Sequence, residues 1–313
     1  MGVRLFEPED PTGGADAGEV IQPAASVGVT PPEAAPSGPL CRVRLLVAYD
    51  GGPFRGFAYQ AGQPSVAGRL MTALGRMTGS DVTLTCAGRT DAGVHAAGQV
   101  VHADVPEAFL ETYSDLERML RSLNRQVGPE VAVLDVRRAE AGFDARRSAM
   151  ARRYRYLVLC TPWPDPLLRH LTWHVPGELD VPAMRIASDA LLGEHDFSAF
   201  CRRPPGGGST VRRVTDTVVR LVDDDRLLRF EIEANAFCHQ MVRSIVGALV
   251  SVGEGRMTAA GVLELLRAGD RSRGARLAPA DGLCLELVRY PEELIAGGVW
   301  RPESRIALGS EVG

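Results

Sequence analysis

The order of apolar patterns along this chain repeats once, and that repeat constrains the fold more than any other feature. Between residues 42 and 138 the patterns predict strand, helix, strand, strand, helix, strand, and the same order returns between residues 153 and 288. Two split β-α-β units in one chain predict an α+β protein with two ferredoxin-like (RRM-like) halves and a cleft between them. The halves share no visible sequence identity, so the repeat is one of architecture.

The spacing of apolar residues and the helix-start signals place the individual elements. Apolar side chains recur at helical spacing in residues 65–78, and Asp180 followed by Pro182 marks a helix start. The predicted strands of the first unit are 42–49, 82–87, 98–104 and 131–138, and its helices are 65–78 and 106–126. Those of the second unit are strands 153–160, 211–222, 226–234 and 283–288 and helices 181–192, 239–252 and 258–268.

Composition changes near residue 39 and suggests where the halves begin. Residues 1–39 are rich in Pro, Gly, Ala and acidic residues, which predicts a disordered tail. We expect a first half at 40–150, a second half at 151–295 and a C-terminal extension at 296–313. No apolar run approaches the roughly 18 residues that span a bilayer, and no signal-peptide core is visible, so we expect a cytoplasmic protein without membrane contact.

The charges and the cysteines narrow the range of partners. The net charge is −4, but residues 1–39 contribute about −5 of it, so the remainder is near +1. All 35 cationic residues are arginines, whose planar guanidinium groups suit bidentate phosphate contacts and stacking on bases. The six cysteines are widely spaced and form no CxxC pair, which predicts mostly buried, reduced thiols rather than a disulfide scaffold or zinc site.

One segment, residues 86–102, carries the side chains best suited to chemistry. It follows a predicted strand, and Gly88 and Gly93 permit a tight turn that presents Arg89 and Asp91 together. A turn at a strand end can aim side chains at a ligand. The alternative is that Asp91 only hydrogen-bonds its own backbone, as Asp beside Gly commonly does.

Residues 146–156 combine arginines with two tyrosines at the start of a predicted strand. Guanidinium groups for phosphate and aromatic rings for base stacking are typical of nucleic-acid binding. Strand alternation would place Arg153 and Arg155 on one face and Tyr154 and Tyr156 on the other. The alternative is an exposed, charged strand edge.

Residues 235–247 place His239, Gln240 and Arg243 near the start of an otherwise apolar helix. Polar atoms at the end of a buried helix lie where a cleft would be. For His239 we favour a capping or core role over catalysis. Arg243 has apolar neighbours, so its burial would require a partner carboxylate, for which Asp91 is a candidate.

Three blocks of sequence resemble, in order and separation, the motifs of the TruA family of tRNA pseudouridine synthases: residues 87–102, 151–156 and 235–247. The resemblance extends from about residue 41 to residue 290. It implies two ferredoxin-like halves joined in one extended mixed and antiparallel sheet, flanked by helices, with the active-site cleft between the halves. It also implies a homodimer that acts on the tRNA anticodon stem-loop, at nucleotides 38, 39 and 40.

The resemblance further implies roles for four side chains. Asp91 would be the catalytic aspartate, and Arg89 would enter the RNA helix and help hold the target uridine outward. Tyr154 would pack against the flipped base, and Arg243 would pair with Asp91. Flipping a uridine out of a stem costs a few kcal/mol, part of which base stacking worth about 1–3 kcal/mol would offset.

Pseudouridine formation is an isomerisation in which uracil leaves its N1–C1′ bond, turns and rejoins through C5. We therefore expect no metal and no redox cofactor. Asp91 could attack C1′, attack C6 or abstract the ribose 2′ proton. Each role needs an ionised carboxylate, which a cation such as Arg243 favours. Tyr154 is a candidate for removing the C5 proton.

Two features depart from the family pattern. Where the family usually has Gly-Trp-Gln after residues 49–51, this chain has Gly56-Phe57-Ala58, which changes contacts near the cleft rather than the chemistry. Residues 202–208, which include two prolines and three glycines, predict a mobile loop that could order on tRNA.

Two other functions remain compatible with parts of the sequence. A non-catalytic RNA-binding protein, such as a tRNA chaperone of RRM-like architecture, would carry the RNP1 aromatic pattern, which we do not find. A carboxylate hydrolase would pair Asp91 with a second carboxylate, and Asp50, the candidate, has no independent signal.

Overall fold

The structure is a computed structural model, and it describes residues 38–113, 115–202, 208–295 and 300. Its strands are β1 (Leu40–Tyr49), β2 (Leu84–Cys86), β3 (His95–Pro106), β4 (Val131–Arg138), β5 (Ala151–Leu159), β6 (Trp173–His174), β7 (Gly193–Asp196), β8 (Val211–Val222), β9 (Leu227–Ala234) and β10 (Leu283–Arg289). Its helices are α1 (Val66–Thr78), α2 (Glu107–Thr112), α3 (Leu116–Val127), α4 (Val181–Asp189), α5 (Met241–Gly253) and α6 (Ala259–Ala268). Most of the predicted tail, of the C-terminal extension and of the loop at 202–208 lies outside the described residues.

All of these strands belong to one sheet. Its strand order is β4-β1-β3-β10-β5-β9-β8-β7, with β2 on β3 and β6 on β5. β3 and β10 come from opposite halves of the sequence and pair in parallel, with Cys284 opposite His95 and Leu285 opposite Ala96. The expected α+β class and large mixed sheet are therefore confirmed. Asp91 lies between β2 and β3, just before the residues of β3 that make this join.

Local sequence signals explain where the helices begin and end. α1 begins after Ser65, whose hydroxyl accepts a hydrogen bond from the Gly68 amide at 3.2 Å, and it ends at Gly79 in the left-handed conformation. In the buried helix α5, a β-carbon added at Gly247 would stand 1.8 Å from the Arg276 carbonyl oxygen, which explains a glycine there. None of the described helices is long and apolar enough to cross a membrane.

Several elements differ from their predicted bounds. The helix predicted at 106–126 is divided into α2 and α3, because Asp115 starts a new helix by accepting a hydrogen bond from the Glu117 amide at 2.9 Å. The strand predicted at 98–104 begins earlier, at His95, which shortens the turn that carries Asp91. The short strands β6 and β7 have no counterpart among the predicted strands, because so few residues show no clear alternation.

One pair of cysteines departs from the expected reduced thiols, while the other four of the six are free, as most were expected to be. Cys201 and Cys238 are disulfide-bonded with their Cα atoms 5.7 Å apart, although 37 residues separate them in sequence. Pairing across such a distance leaves no local spacing signal. Cys86, by contrast, is a buried free thiol, and burial raises its pKa to about 11, so it is uncharged at neutral pH.

Candidate active site

Asp91 lies in a turn whose backbone is tightly packed. The Val94 amide donates a hydrogen bond to the Asp91 carbonyl at 3.2 Å, and Gly93 has a φ of +80°, which residues with a β-carbon rarely adopt. Gly51 packs so closely that a β-carbon added there would lie 2.1 Å from the Val94 carbonyl oxygen. These glycines let the loop after β1 pack directly against the turn.

Three side chains from different strands hold the segment before Asp91 in place. The contacts are Tyr49 hydroxyl to Thr90 Oγ1 at 2.8 Å, Gln99 Nε2 to the Gly88 carbonyl at 2.7 Å, and Arg152 Nη2 to the Ala87 carbonyl at 2.7 Å. All three side chains are buried, and burial raises the pKa of Tyr49, which therefore remains a neutral phenol. None of the three was predicted as a site residue. The only sequence signal for each is a polar residue at a strand position that faces inward, and this signal does not identify a functional site.

Two cationic or protonatable groups from the second half of the chain face the Asp91 carboxylate, which is 28% exposed. Arg243 Nη1 lies 3.8 Å from Asp91 Oδ2, and His239 Nε2 lies 3.4 Å from Asp91 Oδ1. Arg243 is nearly buried and is fixed by its Nε, which donates to the Ala278 carbonyl at 2.8 Å. The structure thus brings Arg243 and Asp91 together, and it adds His239 to the same site.

His239 has neither of the roles favoured from the sequence. Its side chain is 43% exposed, so it is not a core residue. Helix α5 begins at Met241 with Gln240 as its N-terminal cap, and no side chain makes a capping hydrogen bond there. The surroundings of His239 become visible only in the fold, because Asp91 lies almost 150 residues earlier in the chain.

Tyr154 lies on the same side of β5 as this site. Its ring is buried and meets Phe237 edge-on, with ring centroids 5.1 Å apart. A β-carbon added at Gly88 would lie 3.8 Å from the Tyr154 hydroxyl oxygen, so the phenol reaches the Asp91 turn. Burial raises the pKa of Tyr154, Arg152 lowers it and Asp91 raises it, and the net upward shift leaves a neutral hydroxyl at physiological pH.

Arg89 extends from the turn into solvent. It is exposed, and within the described part of the chain its guanidinium makes no hydrogen bond or ion pair. An unpaired guanidinium on a rigid turn can meet a phosphate or a base without first breaking an internal contact. Of the four predicted site residues, Asp91, Tyr154 and Arg243 cluster together, and Arg89 projects from the same turn.

Arg153 and Arg155, on the opposite face of β5, are engaged inside the protein. Arg153 contacts Glu233 at 2.9 Å and Asp216 at 2.8 Å, and Arg155 contacts Glu286 at 3.0 Å. The predicted alternation of arginines and tyrosines is therefore correct. The alternative of an exposed, charged strand edge is wrong for these two arginines, because β5 lies between β10 and β9 and carboxylates within the sheet hold both guanidinium groups.

Two residues of the loop after β1 have structural contacts. The Asp50 carboxylate lies 3.2 Å from His95 Nδ1 and accepts a hydrogen bond from the Gly52 amide at 2.9 Å, so its partners belong to its own loop and to β3. Phe57 is buried, and its amide donates to the Thr90 carbonyl at 3.1 Å. The departure from the family pattern at Phe57 thus lies against the Asp91 turn.

Comparison with known proteins gives the class and the family of this chain. Residues 187–291 match the family model described as tRNA pseudouridine synthase, which defines the class. A tRNA pseudouridine synthase A from Frankia casuarinae is 45% identical over 256 residues, covering 81% of this chain and 91% of that protein. A protein of the same name from Chloroflexus aurantiacus is 44% identical, covering 81% of this chain and 90% of that protein. Another from a Methylobacterium species is 43% identical, covering 80% of this chain and 98% of that protein.

The chain belongs to the tRNA pseudouridine synthase A (TruA) family, and it is an isomerase that makes pseudouridine in tRNA. The archaeal box H/ACA sRNP Nop10-Cbf5 complex aligns over 77% of this chain and 46% of that one, with a TM-score of 0.33 and 12% identity.

Proposed function

We propose that this enzyme converts uridine to pseudouridine at positions 38, 39 or 40 of the tRNA anticodon stem-loop, with Asp91 as the catalytic residue. The observation that carries the assignment is the placement of one partly exposed carboxylate against Arg243 and His239, beside the buried Tyr154. Arg243 places a guanidinium 3.8 Å from Asp91 Oδ2, the carboxylate that would act as nucleophile or base.

Base flipping explains the roles proposed for Arg89 and Tyr154. A uridine in a stem must leave its stack, at a cost of a few kcal/mol. Arg89 is exposed on the turn and has no hydrogen-bond or ion-pair partner among the residues that the structure describes, so its guanidinium can fill the space that the base leaves. Tyr154 offers a ring against which the flipped uracil packs, and stacking of this kind contributes about 1–3 kcal/mol per base.

The chemistry requires Asp91 to start the transfer of the uracil from its N1 bond to its C5 bond. The N1–C1′ bond breaks, a C5–C1′ bond forms, and the C5 proton leaves. Asp91 begins this sequence at C1′, at C6 or at the ribose 2′ proton. Burial raises the pKa of Tyr154, which is therefore a neutral phenol. It can take the C5 proton only as it passes its own hydroxyl proton to a base, and the Asp91 carboxylate on the adjacent turn serves as that base once it has left the nucleotide.

The strand order supports a ferredoxin-like interpretation of both halves, with boundaries at 40–150 and 151–295. Within the first half the spatial order is β4-β1-β3-β2, and within the second it is β10-β5-β9-β8. Both orders follow from a strand-helix-strand-strand-helix-strand chain whose second and fourth strands lie at the edges. We further propose a homodimer, by family analogy, and a cytoplasmic location, where tRNA is modified.

The test is a map of pseudouridines in unmodified tRNA transcripts treated with the enzyme, read by carbodiimide labelling and primer extension. We expect new pseudouridine at one or more of positions 38, 39 and 40, and none in a transcript with cytidine at those positions. If the protein binds the transcript and forms no pseudouridine, the tRNA chaperone alternative replaces the proposal. Pseudouridine formed only elsewhere would contradict the assigned positions.

A further inference from the structure

His239 contacts the Asp91 oxygen that Arg243 does not. Its Nε2 lies 3.4 Å from Oδ1, while Arg243 Nη1 lies 3.8 Å from Oδ2. The terminal torsion of an aspartate is broad, so a carboxylate contacted at one oxygen can rotate. Both distances exceed that of an ordinary N–H···O hydrogen bond, so neither contact alone fixes the plane of the carboxylate.

We propose that His239 is a positioning residue for Asp91: its imidazole, together with Arg243, holds the two carboxylate oxygens in the orientation that the reaction needs. The inference rests on the proposed catalytic role of Asp91. Reactions that depend on orientation are sensitive to displacements of about 1 Å, because the reacting atoms must lie in a near-attack arrangement.

The backbone around His239 is held by contacts with a neighbouring loop. Cys238, immediately before it, is disulfide-bonded to Cys201. The carbonyl of His239 itself accepts a hydrogen bond from the Arg202 amide at 3.0 Å. These two links attach the segment before α5 to the loop that follows the turn at Ser198–Phe200.

Gln240, immediately after His239, completes this fixation. Its φ of +65° is unfavourable for a residue with a β-carbon, and its Oε1 accepts a hydrogen bond from Arg271 Nη2 at 2.6 Å. An unfavourable backbone conformation persists only where surrounding contacts enforce it. Here it bends the chain between the segment of His239 and α5, so that the histidine at the bend and Arg243 in the helix both reach Asp91.

The test compares His239→Ala, His239→Gln and His170→Ala for kcat and KM on tRNA. Glutamine places an amide nitrogen close to the position of the histidine Nε2. His170 is an exposed histidine whose Nε2 accepts a hydrogen bond from Arg169 Nε at 2.7 Å. We expect His239→Ala to lower kcat about 10- to 100-fold with KM changed less than about twofold. His239→Gln should recover most of the loss, and His170→Ala should match the wild type.

Three outcomes would overturn the proposal: wild-type kcat in His239→Ala, a loss confined to KM, or a glutamine variant as slow as the alanine variant. Should His239→Ala fail to fold, the folded glutamine variant decides, since near wild-type kcat supports positioning and a large loss contradicts it. Asp91→Asn is measured alongside. If Asp91→Asn turns over normally the proposed function fails, whereas an inactive Asp91→Asn with a fully active His239→Ala defeats only the positioning role.

Discussion

Alternate side chains of β5 point to opposite faces of the sheet, and the two faces use arginine differently. On one face Arg153 and Arg155 lie opposite Glu233 and Glu231 of β9, and ion pairs at 2.7 to 3.5 Å connect them with Glu286 and neighbouring arginines. On the other face Tyr154 approaches the turn of Arg89, whose guanidinium has no ion-pair partner in the described part of the chain. Arginine is therefore available to RNA only where no carboxylate holds it, and counting arginines in the sequence overstates the RNA-binding surface.

The face of the sheet that carries Arg153 and Arg155 is called the paired face, and its carboxylates depend on their arginines. Burial alone would raise the pKa of Glu233, but hydrogen bonds from Arg289 and Arg153 outweigh it, and its pKa lies below the usual range. Removing one member of such a network leaves a partly buried charge without its partner. On the Tyr154 face, by contrast, the Asp91 carboxylate is 28% exposed. The comparison predicts stability effects on one face and rate effects on the other.

The largest expected effect is on the Asp91 side. Arg243→Gln should lower kcat at least about 100-fold, because Asp91 Oδ2 loses the guanidinium that lies against it. The stability cost should be about 1 kcal/mol, from the lost hydrogen bond to the Ala278 carbonyl. Tritium release from [5-³H]uridine-labelled tRNA gives the rate. Arg155→Gln is the matched control on the paired face, and a comparable loss of kcat in it would end the distinction between the faces.

The next effect is on stability. Glu233→Gln should lower the free energy of unfolding by about 1–3 kcal/mol, because Arg153 and Arg289 lose a charged partner. The kcat of the folded variant should be unchanged. Urea unfolding measures the first quantity, with Glu178→Gln as an exposed control. Unchanged stability together with slower turnover would reverse the assignment of this face.

Arg89→Ala should slow single-turnover conversion of a stem uridine about 10-fold, since flipping loses the inserted side chain. Folding should be unaffected, because Arg89 makes no internal hydrogen bond or ion pair within the described residues. If Arg89 contacts a phosphate, the slope of log K for tRNA binding against log salt concentration should also become shallower by about one. A drop in melting temperature with an unchanged rate would instead identify Arg89 as a structural arginine.

The smallest effect concerns pH. Because the pKa of Glu233 is lowered in the folded state, its stabilisation is present above the ordinary glutamate pKa of about 4.3 and is lost as pH falls through the folded value. Unfolding free energies measured from pH 7 to pH 3 should therefore fall more steeply below about pH 4 in the wild type than in Glu233→Gln. Parallel curves would show that the protonation of Glu233 is not coupled to unfolding.

The sequence predicts much of this structure because its signals are local. Strand and helix periodicity identifies most elements, and the run around Asp91 identifies the turn. The pairing of Arg243 with Asp91 follows from a simple rule, that an arginine among apolar neighbours needs a carboxylate. The alternation in Arg153-Tyr154-Arg155 also predicts the two faces of β5 correctly.

What the sequence does not reveal depends on register and on distant segments. Glu231-Ile232-Glu233 alternates as the arginine strand does, but only the β5–β9 register shows that the charges face each other. The Cys201–Cys238 disulfide joins residues without a spacing motif. The contact of His239 with Asp91 needs the fold to bring together two turns from different halves.

Single-turnover tritium release from [5-³H]uridine-labelled tRNA by the wild type, Asp91→Asn and Asp104→Asn tests the central claim most directly. Asp104 is a carboxylate on β3 whose partner is Arg42, 2.7 Å away, so it controls for the loss of a charge elsewhere in the same half. We predict that Asp91→Asn releases no tritium while still binding tRNA, and that Asp104→Asn releases it at the wild-type rate. Normal release by Asp91→Asn would contradict the assignment of Asp91 as the residue that begins the reaction.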